Sequence, residues 1–194
     1  MAGASTNLSS RPYPSQYVSS WKTQNGVLVT IRPIRPEDEP LMVKFHATLS
    51  DRTVYMRYFT SISLSRRTAH ERLIRICNCD YEREMVLVAE GEKLETPERE
   101  ILAVGRLNKL RKTDDSRGSH EAEVAVLVSD QYQRQGLGRE LLRRLIEIAP
   151  KEKITRIVAE MLRDNVAMQN LFKSLGFRFE SLGDPASVQA TLDL

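Results

Sequence analysis

The chain has 194 residues, of which 41% are hydrophobic and 28% charged, with a formal net charge of +3. These values suit one soluble globular domain with a sizeable core, and the charge is too mild to argue for a nucleic-acid partner. No apolar run approaches the roughly 18 residues of a membrane span, and the start, MAGASTNLSSRPYPSQ, lacks the basic and apolar regions of a secretory signal.

In chain order, residues 1–15 read as a disordered tail and residues 16–194 as one domain. The stretch QYVSSWKTQNGVLVTIRPI, residues 16–34, predicts a β-hairpin, with Asn25-Gly26 as a type I′ turn. RPEDEPLMVKFHATLS, residues 35–50, opens a helix with proline and acids in its first turn. Two further short helices follow, over residues 51–59 and 65–76. Cys77 and Cys79 are too close for an ordinary disulfide framework, and no second Cys/His pair accompanies them; they read as structural thiols in a reducing cytosol. EMVLVAE and REILAVGRLNKL predict strands joined by the polar turn GEKLETPERE. RKTDDSRGSH reads as a flexible loop, and EAEVAVLVS, residues 121–129, as a strand.

Next comes DQYQRQGLGRELLRRL, which runs from a polar turn through two glycines into an amphipathic helix extending to Ile148. Residues 154–162 then predict a strand, residues 165–176 a helix ending at Gly176, and residues 177–182 and 188–194 two closing strands. The mixture is an α/β (α+β) single domain.

The glycine turn is the most informative feature. Gly136 and Gly138 allow positive φ and close approach of a ligand to the backbone. The helix start offers unpaired N–H groups and a partial positive charge. Together they suit a phosphate or pyrophosphate, and Arg134 and Arg139 flank the turn. Two familiar phosphate loops do not fit. A P-loop needs Lys-Ser/Thr where Arg139-Glu140 stands, and a dinucleotide fingerprint needs a small residue where Leu141 stands.

The spacing Gln133-x-x-Gly136-x-Gly138 resembles the pyrophosphate loop of the GNAT superfamily of acyl-CoA-dependent N-acyltransferases. EAEVAVLVSDQYQRQGLGRELL resembles that family's central strand, loop and helix. VAEMLRDNVAMQNLFKSLGF, with Asn165 and the closing Leu175-Gly176-Phe177, resembles its next strand and helix. VTIRPIRPEDEPLMVKFHATLSDRTVYMRYF and CDYEREMVLVAE are similar to the bacterial protein lysine acetyltransferase (Pat) branch. The resemblance covers roughly residues 16–194 and implies a mixed central sheet of about six to seven strands flanked by helices. It implies acetyl-CoA as cosubstrate and no metal. The backbone of Val126, Leu127 and Val128 would pair with the pantetheine arm. Gln133, Arg134, Gln135, Gly136, Leu137, Gly138 and Arg139 would take the pyrophosphate. The Asn165 amide would reach the pantetheine region, although Asn165 also suits the N-cap of the last helix.

The transfer needs a neutral amine, and a lysine amine with its pKa near 10.4 is almost wholly protonated at neutral pH. A base near the thioester therefore helps directly. Strand alternation puts Glu121, Glu123, Ala125 and Leu127 on one face, and a carboxylate on this largely apolar strand calls for a partner or a function. Glu123 also matches the Pat branch's catalytic glutamate, here in Ala122-Glu123-Val124-Ala125; Glu121 is its nearest rival. Many GNAT enzymes carry a tyrosine seven residues after the asparagine, where this chain has Phe172. That departure weakens a two-residue mechanism and leaves a one-base mechanism intact. His46, His70 and His120 read as structural or surface residues.

The function the resemblance implies is therefore acetyl transfer to a primary amine by direct attack, the acceptor being a lysine of a protein such as an acyl-CoA synthetase. The expected setting is cytoplasmic, with no nucleic acid or membrane partner. The alternatives are a small-molecule amine acetyltransferase, for a polyamine or antibiotic, and a non-catalytic acyl-CoA-sensing module that would not need Glu123.

Overall fold

The computed structural model describes residues 11–92, 98–110, 120–181 and 183–194. Within them, eight strands form one sheet: β1 (Ser19–Lys22), β2 (Leu28–Pro33), β3 (Glu84–Glu92), β4 (Arg99–Lys109), β5 (Glu121–Val128), β6 (Arg156–Leu162), β7 (Arg178–Glu180) and β8 (Ser187–Asp193). The spatial order is β1-β2-β3-β4-β5-β6-β8-β7. Every neighbouring pair is antiparallel except β5 and β6, which are parallel. Six helices complete the fold: α1 (Glu39–Ala47), α2 (Asp51–Tyr58), α3 (Leu64–Arg67), α4 (His70–Cys77), α5 (Leu137–Ile148) and α6 (Val166–Ser174). The mixed α/β class is the expected one. The short edge strands β1 and β7, four and three residues long, take the sheet just past the expected strand count.

The hairpin at Asn25-Gly26 forms, but through a different turn. Gly26 donates to the Thr23 carbonyl and Thr23 to the Val27 carbonyl, both at 2.9 Å. Gly26 has φ +89° while Asn25 is not left-handed, so the loop is a type I turn closed by a glycine bulge rather than type I′. The Thr23 hydroxyl also accepts from the Val27 N–H at 3.0 Å, which favours this three-residue closure.

Residues 11–15, expected as part of a disordered tail, are docked on the domain. Arg11 donates to both carboxylate oxygens of Glu152 at 2.8 and 2.7 Å, the Tyr13 hydroxyl donates to the Pro33 carbonyl at 3.0 Å, and Pro14 is buried. These residues dock because each polar end finds a partner. Residues 1–10, residues 93–97 of the polar turn and residues 111–119 of the flexible loop lie outside the described residues, while residues 91–92 and 99–100 of that turn belong to β3 and β4.

The core is one continuous cluster beneath the helices. The apolar face of α5 (Leu137, Leu141, Leu142, Leu145 and Ile148) is fully buried, and each such side chain contributes about 1.5–3 kcal/mol. Gly105 on β4 lets α5 come close: a Cβ there would lie 3.2 Å from the Leu141 Cβ. At the start of α1 a buried ion network fixes the chain. Arg32 on β2 is 4% exposed and grips Asp38 through two bonds of 2.7 Å, while its Nε donates to Glu90 at 2.5 Å. Asp38 in turn accepts from the Arg35 N–H at 2.9 Å, which holds the 3-10 turn Pro36–Asp38.

Cys77 and Cys79 are free and buried. Burial pushes the Cys77 thiol up to about 12 and raises Cys79 further, so both are inert. No helix among the described residues is long and apolar enough to cross a membrane.

Candidate active site

The parallel pair β5–β6 is joined over only three register positions, Glu121 with Arg156, Ala122 with Ile157 and Glu123 with Val158. Beyond Glu123 the strands part. β5 continues against β4 as far as Val128, and β6 continues against β8 as far as Leu162. From Val124 onward the β6-facing edge of β5 therefore presents backbone N–H and C=O groups with no strand beside them, the arrangement that accepts an added strand. A cleft of about 750 Å³ occupies the gap, within the size range of small-molecule sites. Val126, Leu127 and Val128 line one wall and Ala159, Glu160 and Met161 the other.

The glycine turn closes one end. After β5 the chain makes a 3-10 turn at Asp130–Tyr132, passes Arg134 at φ +59° and reaches Gly136 at φ +90°, the N-cap of α5. A left-handed arginine is strained by the order of 1 kcal/mol, a strain that collects at functional loops. Glycine at the N-cap has no side chain to accept from the first-turn amides, so Leu137, Gly138 and Arg139 keep open N–H groups. Gly138 itself has ordinary helical geometry. A Cβ there would reach 3.6 Å from Val128 and from Leu171, both lining the cleft, so its lack of a side chain leaves room against the wall.

The charged groups are divided. Arg52 and Arg57 of α2, with Arg134 and Arg139, line the cleft and suit a polyanion. Arg139 also donates to the Ser174 hydroxyl at 2.9 Å. On the β6 wall Glu160 accepts from the buried Ser187 hydroxyl at 2.8 Å.

Several residues singled out in the sequence meet here. Gln133, Arg134, Gly136, Gly138, Arg139 and Asn165 all line the cleft. Asn165 caps α6 by accepting from the Met168 N–H at 3.3 Å, and its amide NH₂ has no hydrogen bond among the described residues. Capping therefore occupies only the carbonyl oxygen. Gln135 and Leu137 are placed differently: the Gln135 side chain bonds the Gln131 carbonyl at 3.0 Å, and Leu137 is buried in the core. Only their backbones can serve a ligand.

Glu123 sits at the last paired position, where the strands part. It is half-buried and makes no ion pair or side-chain hydrogen bond among the described residues. It does not form part of the cleft wall, but Val124 and Ala125 beside it do. Phe172 lines the cleft at 2% exposure, packed edge-on against Phe177 at 4.7 Å. His70 is bonded to Glu39 at the surface and His120 to the Lys153 carbonyl.

The contribution of α2 was not anticipated. Ser50, Arg52, Thr53, Met56 and Arg57 line the cleft, and the Gln133 amide donates to the Thr53 hydroxyl at 3.2 Å. The polar face of that helix was the available signal, but nothing local says which cavity a polar face borders.

Residues 29–178 match the model of the acetyltransferase (GNAT) domain family. An acetyltransferase of Pseudomonas aeruginosa is 29% identical over 153 residues, which are 79% of this chain and 76% of that protein. The acetyltransferase Pat of Mycolicibacterium smegmatis is 28% identical over 155 residues, 80% of this chain but only 43% of Pat. Among solved structures, the GNAT domain of the S. lividans PAT protein superposes with a TM-score of 0.81 at 26% identity, covering 94% of this chain and all 100% of that one.

Proposed function

This chain belongs to the GNAT acetyltransferase family, and from that premise we propose that it transfers acetyl from acetyl-CoA to a primary amine, that of a protein lysine. The observation that carries the proposal is the unpaired edge of β5 running into the open amides of the α5 N-terminus.

The residues fit the cosubstrate. The backbone of Val126, Leu127 and Val128 offers the amide pairing that a pantetheine arm needs. The first-turn amides of α5, with Arg134 and Arg139, suit the pyrophosphate. The unbonded Asn165 amide suits a carbonyl of the arm. Acetyl-CoA, when bound there, supplies an acetyl thioester activated for attack by an amine.

Glu123 accepts the proton of the incoming ammonium, which makes the nitrogen nucleophilic. Its position where β5 and β6 part, and its lack of an ion-pair partner among the described residues, support this role. When the tetrahedral adduct collapses, the C–S bond breaks and coenzyme A leaves as a thiolate; Phe172 has no hydroxyl to protonate it, so water supplies that proton. Glu160, held by Ser187 on the opposite wall, favours a basic acceptor by charge. The free Cys77 and Cys79 thiols agree with a reducing cytoplasmic setting.

The resemblance of residues 29–59 and 79–90 to the protein lysine acetyltransferase branch favours a protein acceptor, such as an acyl-CoA synthetase, over a small amine. A competition assay decides between them. Folded acyl-CoA synthetases and a panel of polyamines and aminoglycosides are offered together with acetyl-CoA, and the products are read by mass spectrometry. Acetylated lysines on protein are expected. Acetylation of the small amines alone would assign the site to a small-molecule acceptor. Binding of acetyl-CoA with no transfer to any amine would make the chain an acyl-CoA sensor.

A further inference from the structure

The hairpin β1–β2 touches the glycine turn through Trp21 and Gln24, neither of which lines the cleft. The Gln24 N–H donates to the Gln135 carbonyl at 3.1 Å. The Trp21 ring lies over Gly136, so close that a Cβ on that glycine would sit 3.2 Å from Trp21 Cη2. The Ser19 hydroxyl accepts from the Arg144 guanidinium, whose Nε also donates to Glu140 at 2.7 Å on the same helix. The hairpin is thus fastened to both the turn and α5. β1 also precedes residue 29, where the family match begins.

We infer that this hairpin is a brace that aims the phosphate-binding amides, with Trp21 and the Gln24 N–H as positioning groups for coenzyme A. The inference rests on the cosubstrate site proposed above. Its physical basis is the planar trans peptide between Gln135 and Gly136. In such a unit the C=O and the following N–H point in opposite directions. Fixing the Gln135 carbonyl on the hairpin therefore turns the Gly136 N–H away from the hairpin, and Gly136 borders the cleft. The Trp21 ring over Gly136 limits the other motion, a drop of the turn toward the hairpin. Neither group needs to touch the ligand. Both reduce the ordering that coenzyme A must otherwise impose on the turn, and that saving appears as affinity.

One substitution isolates the bond. Gln24 is the second residue of a type I turn, a position that favours proline, so Gln24→Pro deletes the N–H while keeping the hairpin. Trp21→Phe tests the ring separately. The readouts are coenzyme A affinity by calorimetry, the melting temperature, and turnover at saturating acetyl-CoA. Each variant should bind coenzyme A about tenfold more weakly and raise the KM for acetyl-CoA, with kcat and melting temperature close to wild type. A merely structural role would lower the melting temperature and leave the affinity of the folded fraction alone.

Trp21 is the single tryptophan of the chain. Its emission should therefore change on adding coenzyme A and saturate with the calorimetric Kd. Affinity within twofold of wild type in both variants overturns the brace while leaving the cosubstrate site standing. Wild-type protein that binds no coenzyme A overturns the site itself, and the brace with it.

Discussion

Gly138 and Asn165 show how single residues shape the proposed cofactor surface. Gly138 is helical, so its backbone does not require glycine; what a side chain would change is the space beside Val128 and Leu171. Gly138→Val should therefore fold, because the helical backbone accepts a side chain and its Cβ meets the wall at ordinary contact distance, yet the γ-methyls beyond it should block approach to the α5 amides. Acetyl-CoA affinity is expected to fall at least about tenfold, roughly 1.4 kcal/mol. Calorimetry on the folded variant checks this, and unchanged affinity would remove Gly138 from the site. Asn165 serves two ends with two atoms: its carbonyl oxygen caps α6 and its NH₂ is left for a ligand. Both residues were legible in the sequence because glycine spacing and helix caps are local signals. Gln135 and Leu137 were not separable from them, since sequence spacing does not say which side chains of a turn face inward.

At the level of elements, α1 places a histidine where charge is costly. His46 is 1% exposed, and neither ring nitrogen has a partner among the described residues. Burial lowers its pKa to about 4, and the charges of Arg72 and Arg67 add to the shift. The folded protein thus holds His46 neutral over a range where the unfolded chain, near 6.5, takes up a proton. Stability is undiminished above that unfolded value and is lost progressively as pH falls toward 4. At pH 5 the loss from this group is about 2 kcal/mol. Urea unfolding at pH 7 and pH 5 should show His46→Leu losing about 2 kcal/mol less than wild type between the two; equal losses would contradict the assignment. The helix itself was predictable from its proline, acids and apolar spacing. The burial of His46 was not, because it depends on Arg67 and Arg72 arriving from α3 and α4.

Taken whole, the described residues form a sheet whose β5–β6 pairing stops after three positions, and the cleft proposed as the active site lies there. The strands were mostly readable from alternation and turn residues, but their neighbours were not. β8 rather than β7 lies beside β6, so the closing hairpin folds back in the reverse of chain order. The point where β5 and β6 part depends on that long-range pairing, and no local pattern marks it. Glu123 stood out as a carboxylate on an apolar strand; its place where those strands part appears only in three dimensions. Proton removal by this residue is the central proposed step. Pre-steady-state turnover of wild type and Glu123→Gln at saturating acetyl-CoA and acceptor, with acetyl-CoA affinity measured in parallel, tests it directly. Unchanged affinity is expected, with turnover lower by about 10² to 10⁴ and partial recovery at high pH, where solution deprotonates the amine. Near-normal turnover of Glu123→Gln at neutral pH would contradict it.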